Sequence, residues 1–416
     1  MSVGSLEEAG ARVLAALDAL EGELMGFTRA LVATPSPNPP GDERAVARLV
    51  QEELDRHGVT AVRALWDEPE RPNLIVDVGP DSGRTLILAG HLDTKPAGDL
   101  EAWERDPWDP AMVGGELWGL GSADMKCAVA GMVFAGVALT KTDPDLGRLR
   151  IVLTSDEEAG STHGARWLAE SGQLAGDAAI LGEPCGISRE WESIDLVSRG
   201  AALFRIGLKG TQTHSSVSDL VPVVNATVKM AWLLQRMDAE LLDWLHFSPH
   251  PLVPRPTLNV GVMAQAGVFY GVYPGRAEFA CDLRTLPGMD KDTVVADIEA
   301  FLDDARQNDP DLDCELHLDV WVPATEIAGD HPAVAALQAA SRVVLGEAPP
   351  LAAFPGGTDA PHFQLTAGIP TVAAFGPGLL VRAHSPNERL DARAASIAAR
   401  IYALAAIHYL KVPTPA

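Results

Sequence analysis

The stretch Thr85-Leu-Ile-Leu-Ala-Gly-His91-Leu-Asp93-Thr-Lys-Pro96 decides how the rest of the chain is read. From Thr85 to Ala89 the run is apolar without interruption, which predicts a buried parallel strand. Gly90 closes it, and His91 and Asp93 follow at spacing i, i+2. Side chains two apart on extended backbone point the same way. Both therefore belong to one face at the strand's C-terminal end, where open α/β sheets receive their ligands. A carboxylate beside an imidazole is the pairing of a metal-bound histidine with the acid that orients it.

Two further apolar strands end in the same manner. Arg150 to Thr154 runs into Ser155-Asp156-Glu157-Glu158, and Ala178 to Leu181 runs into Gly182-Glu183-Pro184. Helical segments lie between them, among them a small-residue stretch from Met125 to Leu139 with Asp124 near its start, where its charge suits the helix dipole. Strands alternating with helices predict a mixed, mostly parallel sheet flanked by helices. Such a sheet gathers all three polar clusters along one edge.

The pattern changes near Val197. Ala201–Lys209, Leu258–Val262, Arg276–Arg284 and Asp313–Val322 read as strands, with helices at Val221–Leu242 and Asp292–Ala305. This β-α-β-β-α-β order predicts an α+β module inserted into the first domain. The expected domains are 1–197 and 323–416, forming one α/β unit, and 198–322, forming the insertion. A chain of 416 residues has room for both cores.

Composition narrows the function. Hydrophobic residues are 47% and charged residues 21%, as in globular proteins. A net charge of −25, spread without long acidic runs, excludes nucleic acid and anionic membrane as expected partners. Cys127, Cys185, Cys281 and Cys314 show no close pairing, so no disulfide framework is expected. Residues 1–10 lack the basic and apolar regions of a signal peptide. No apolar run is read as long enough to span a bilayer. The cytoplasm is the expected location.

The chemistry-bearing residues are His91, Asp93, Asp124, Glu157, Glu158, Glu183 and His384. Two histidines and three carboxylates suit a pair of divalent ions with mixed nitrogen and oxygen ligands. Such a pair can share a bridging carboxylate and a bridging water, made nucleophilic near neutral pH. A carboxylate outside the ligand set can then carry the proton to a leaving amine. Glu157 and Glu158 are adjacent and cannot both aim at one atom, so one serves as base and one as ligand.

With these motifs in hand the chain resembles the M20 metallopeptidases, a family that includes acetylornithine deacetylases, succinyl-diaminopimelate desuccinylases, aminoacylases and glutamate carboxypeptidases. The matching motifs are Gly90-His-Leu-Asp-Thr94, Ser122-Ala-Asp-Met-Lys126, Asp156-Glu-Glu158, Gly182-Glu-Pro184, Gly356-Gly-Thr-Asp359 and His384-Ser-Pro-Asn-Glu388. The likeness extends from Leu31-Val-Ala-Thr-Pro-Ser-Pro-Asn-Pro-Pro-Gly-Asp42 to the His384 motif. It implies a zinc-exopeptidase-like catalytic domain carrying a lid and dimerisation domain. His91 and Glu183 would hold one ion, Glu158 and His384 the other, and Asp124 would bridge. Zinc is the first expectation, with cobalt or manganese also suited. Glu157 would be the general base and acid, and Asp93 would orient His91. His214 matches a lid histidine that supports the oxyanion of a neighbouring subunit's reaction in a homodimer. Arg284 matches a lid arginine that reads a substrate carboxylate, and Gly356, Gly357 and Thr358 would line the substrate pocket.

The implied reaction is hydrolysis of an amide bond in an N-acyl amino acid or small peptide by a metal-bridging hydroxide. Dipeptidase action, N-carbamoyl-amide hydrolysis and metal binding without catalysis are the alternatives. Where many relatives carry arginine, this chain has Leu120, and Cys127 replaces a glycine. The lid's glycine pair and asparagine motif read here as Ala266-Gly267 and Gly271-Val-Tyr-Pro274. Gly271 thus stands at a substrate-reading asparagine, which leaves the substrate open.

Overall fold

The computed structural model describes residues 3–142 and 147–411. The outermost residues of the expected domains, 1–2 and 412–416, lie outside the described residues, as do 143–146. In chain order the first elements are α1 (Val3–Ala33), α2 (Arg44–Arg56), β1 (Val62–Trp66), β2 (Pro72–Val78), β3 (Thr85–His91), α3 (Cys127–Thr142), β4 (Arg148–Thr154) and β5 (Ala178–Leu181). Next come β6 (Gly200–Lys209), α4 (Ala226–Trp244), β7 (Thr257–Ala266), β8 (Arg276–Thr285), α5 (Lys291–Asn308) and β9 (Asp313–Val322). The chain closes with α6 (Pro332–Leu345), β10 (Thr371–Val372) and α7 (Ala394–Lys411).

Two compact units result, one of residues 1–198, 326–354 and 358–416, the other of 199–325 and 355–357. The first holds a six-stranded sheet in the order β1-β2-β4-β3-β5-β10. β4, β3, β5 and β10 run parallel, while β1 and β2 form an antiparallel margin. The sheet is therefore mixed and mostly parallel, flanked by helices. All seven residues of β3 are buried, as its unbroken apolar run requires.

β3 continues through Gly90 to His91, which pairs with Thr154. Gly90 does not end the strand; it makes room for it. A Cβ there would lie 2.6 Å from the Met125 methyl. α3 packs tightly for the same reason. Cys127 to Leu139 are all buried, and a Cβ on Gly131 would meet that of Ala398 in α7 at 2.7 Å. Contrary to the expectation from hydropathy, the helical stretch Ser122–Thr142 is long and apolar enough to cross a bilayer. Its most apolar 18-residue window is 94% buried inside the protein, as in a core helix.

The second unit has the β-α-β-β-α-β order and a four-stranded antiparallel sheet, β7-β8-β6-β9. β6 alternates between buried and half-buried positions beyond Ala202. Its inward residues Phe204, Ile206 and Leu208 meet Met230, Leu233, Met237 and Leu241 of α4 and Val294, Ile298 and Phe301 of α5. These helical positions recur every three or four residues, the spacing of one helix face. Asn225 caps α4 by accepting from the amides of Thr227 and Val228, and Asp290 caps α5 at Thr293. The Asn225 cap accounts for a start of α4 at Ala226 rather than at Val221.

Candidate dinuclear metal centre

Asp124 stands at the middle of the first unit's polar cluster. Its Oδ1 lies 3.0 Å from Nε2 of His91, and its Oδ2 lies 3.1 Å from Nε2 of His384. One carboxylate thus faces an imidazole on each side. The geometry arises from a turn, not from the helix start expected from sequence. Asp124 has φ −126° and ψ 91°, Met125 has φ −139° and ψ 36°, and the helix proper begins at Cys127. The apolar run from Met125 onward reads as helix because burial, not conformation, sets that pattern.

His91 is fully buried at the end of β3, and its Nδ1 lies 3.0 Å from the backbone carbonyl of Asp93. A carbonyl and an ionised carboxylate both only accept, so both ring nitrogens donate in the metal-free protein; Nε2 is the nitrogen that would give up its proton to bind an ion. It faces Asp124, with Glu183 Oε1 at 4.0 Å. The Asp93 carboxylate sits 3.5 Å from His91 Nδ1 and serves a second task as well. Its oxygens accept the amides of Glu157 (3.2 Å) and Glu158 (3.1 Å), fixing the turn after β4. Asn38 donates to both Asp93 (2.9 Å) and Asp156 (3.0 Å), and Arg71 donates to Asn38.

On the other side, His384 Nε2 lies 3.1 Å from Glu158 Oε1 as well as 3.1 Å from Asp124. Its φ of 56° turns the chain into the left-handed region, which aims the ring at the carboxylates. Lys95 donates its amide to Glu158 Oε1 at 3.1 Å and places its ammonium 3.2 Å from Oε2. Two donor groups emerge, His91–Asp124–Glu183 and Asp124–Glu158–His384, each with its ligand atoms within 4.8 Å of one another. They share Asp124.

The charge balance fits cations. Burial pushes the Glu183 carboxyl up to about 8, helped by Asp124 beside it. Burial likewise holds Glu157 well above the usual range, with Glu183 and Glu158 adding repulsion. The imidazoles are drawn the other way: burial resists charge on His384, yet Asp124 and Glu158 raise it to about 10. Such a cluster is a set of carboxylates crowded together with too few positive partners, and divalent ions supply the missing charge. The donor set, imidazole nitrogen and carboxylate oxygen with one shared carboxylate, fits two such ions.

Glu157 is half-buried and belongs to neither ligand group. Thr358 lies in the first unit, where its hydroxyl and amide both bond to Ser198. Gly356 and Gly357 cluster with the second unit, Gly356 accepting the Arg199 amide at 3.0 Å. The second unit also carries His214 and Arg284. His214 is exposed before α4, and its Nδ1 accepts the Ser216 amide at 3.2 Å. In the neutral ring that places the proton on Nε2 as a donor. Arg284 is half-buried; its Nη2 donates to Asp282 Oδ2 at 2.8 Å, and its Nε lies 2.8 Å from Oδ1 as an ion pair without a hydrogen bond. Gly271 has φ 80°, which glycine adopts without strain, and open space around its Cα.

Sequence reasoning gave no part to Asn38, Arg71 or Glu388, although Asn38 and Glu388 lie inside quoted motifs. Their contribution is to hold backbone and carboxylates, which no spacing rule announces.

Fold and paired donor groups together describe an α/β protein with a candidate dinuclear metal centre. The chain belongs to peptidase family M20/M25/M40, whose sequence model matches residues 87–408. It is 31% identical over 389 residues to the acetylornithine deacetylase of Klebsiella pneumoniae (strain 342), covering 88% of this chain and 92% of that one. It is 34% identical over 252 residues to the succinyl-diaminopimelate desuccinylase of Rhodospirillum centenum, 57% of this chain and 64% of that protein. That match spans less than two thirds of the desuccinylase. Among solved structures the fold is shared with the M20 metallo-carboxypeptidase Sso-CP2 of Sulfolobus solfataricus, with TM-score 0.74, 20% identity, and 94% and 100% of the two chains covered. It is shared too with the dipeptidase Dug1p of Saccharomyces cerevisiae, with TM-score 0.73, 17% identity, and 97% and 99% covered.

Proposed function

We propose that this protein hydrolyses the amide bond of an N-acyl amino acid or small peptide at a dinuclear centre. The observation that carries the reading is Asp124, with one oxygen facing His91 and the other His384 at 3.0–3.1 Å. His91 and Glu183 would hold one ion, Glu158 and His384 the second, and Asp124 both. Bound there, two divalent ions supply Lewis-acid activation of a carbonyl and acidify water. Zinc is the metal we assign, and cobalt or manganese would serve the same oxygen-rich set.

The protein's own residues do the rest. Asp93 fixes the turn that presents Glu157 and Glu158. Glu157, outside both ligand groups, takes the proton of the attacking water and returns it to the leaving amine, and burial has already raised its proton affinity for this exchange. His214 offers an Nε2–H donor suited to a developing oxyanion, and we assign that role to the histidine of a partner chain in a homodimer formed through the inserted unit. Arg284 keeps Nη1 outside its ion pair with Asp282, from where it would read a carboxylate. Gly356, Gly357 and Thr358 would bound the substrate pocket. The names of the aligned relatives favour an acetyl or succinyl group as the part removed.

Metal content measured on protein purified without added ions, paired with amide hydrolysis before and after chelation, tests the reading. Nearly two ions per chain, with activity lost on chelation and restored by zinc, cobalt or manganese, supports it. No metal, or no turnover on acetyl, succinyl, carbamoyl and aminoacyl amides with the metals restored, would leave the chain a binding protein.

A further inference from the structure

Glu388 lies on the segment that carries His384, yet its side chain serves the other side of the centre. Its carboxylate is almost fully buried, at 1% exposure. Oε1 accepts the amides of Ala123 (2.7 Å) and Asp124 (3.1 Å), and Oε2 accepts the amide of Gly121 (2.9 Å). Its backbone carbonyl also accepts the Gly119 amide at 3.0 Å. Three amides of one four-residue stretch converge on a single carboxylate from 264 to 267 residues away in sequence.

Those amides lie in the turn whose φ and ψ at Asp124 depart from the helix. Without regular helical geometry their hydrogen bonds must come from elsewhere. A carboxyl group is suited to this, because both of its oxygens can accept. A glutamine would offer one oxygen and turn its own N–H groups toward the remaining donor. Asp93 performs the same operation on the turn of Glu157 and Glu158.

We propose that Glu388 is a positioning residue of the dinuclear centre. It holds the Asp124 backbone so that the two carboxylate oxygens meet His91 and His384, and it ties the segment bearing His384 to that bridge. The role rests on the dinuclear reading above, so the test begins with the parent protein. The full-length parent, Glu388→Gln and Glu388→Ala are stripped of metal and titrated with cobalt(II). Affinity, stoichiometry and the visible absorption spectrum are followed, together with the melting temperature of each metal-free protein.

The parent should take up two cobalt ions. In the Gln variant at least one should bind about 10–100-fold more weakly, with an altered spectrum, as for partners that orient metal ligands. The Ala variant should lose as much or more. A merely structural role would lower the metal-free melting temperature and leave cobalt affinity and spectrum at parental values, which overturns the proposal. So would a Gln variant unable to fold, since it would assign Glu388 to stability alone. A parent that binds no cobalt removes the centre itself, a different failure and one visible before any variant is made.

Discussion

The two ligand groups share a carboxylate but not an environment. The His91 side is closed, with side-chain exposures of 1% for His91 and 9% for Glu183. On the other side Glu158 is equally buried at 3%, whereas His384 is 46% exposed. His91 sits on a strand in the middle of the sheet and is locked by its own chain two residues on. His384 sits on a loop in a left-handed conformation, with carboxylates as its partners. A ligand on the sheet is placed before any ion arrives; one on a loop depends on its neighbours to hold it. The first side should therefore retain an ion more firmly and exchange it more slowly.

Replacing the shared residue should have the largest effect. Asp124→Ala is expected to lose both ions and fall to background hydrolysis, checked by elemental analysis and amide turnover. Retention of two ions would end the bridging assignment. Next in size, Glu157→Gln should reduce turnover about 10²–10⁴-fold, the span of general acid–base catalysis, while binding metal as the parent does. Loss of metal in that variant would make Glu157 a ligand instead.

The asymmetry itself is tested by a matched pair. His384→Ala should keep one ion per chain after mild chelation, and His91→Ala should keep less than one under the same treatment. Equal retention would mean that burial of the ligand does not govern affinity here.

The smallest effect concerns a buried carboxylate away from both ligand groups. Burial pushes the Asp195 carboxyl up to about 7, with the Ser193 hydroxyl donating to it at 2.7 Å. Its ordinary value is 3.8, so between roughly pH 4 and 7 the folded chain holds a proton that the unfolded chain has released. The stabilisation is complete below about 4 and is lost as pH rises through 7. Asp195→Asn should flatten that slope and melt higher than the parent above pH 7. The comparison separates burial relieved by a proton from burial relieved by a metal ion, because chelation should not alter the Asp195 contribution.

Much of the centre was legible. His91 and Glu183 lie at strand ends because a buried apolar run must stop where the chain turns polar. The inserted unit's β-α-β-β-α-β order was legible from period changes, with Asp313–Val322 matching its strand residue for residue. Boundaries fixed by caps, as at Asn225, were less so. The conformation at Asp124 was misread, since a small-residue apolar run looks helical whether or not its first turn is distorted. The Leu120 and Cys127 departures are both buried, Leu120 at 3% and Cys127 at 1% exposure, and nothing in the fold explains why they replace the residues of relatives.

By itself the sequence determined the candidate donors, their order and the strands that carry them, because local hydrophobic pattern and residue chemistry are written position by position. Only the tertiary structure decided which oxygen faces which imidazole, that one ligand side is closed and the other open, and that Glu388 and Asp93 each grip the backbone of a ligand-bearing turn. Those relations join residues far apart in the chain. They follow from how the sheet and helices pack, and from the need of every buried amide for an acceptor.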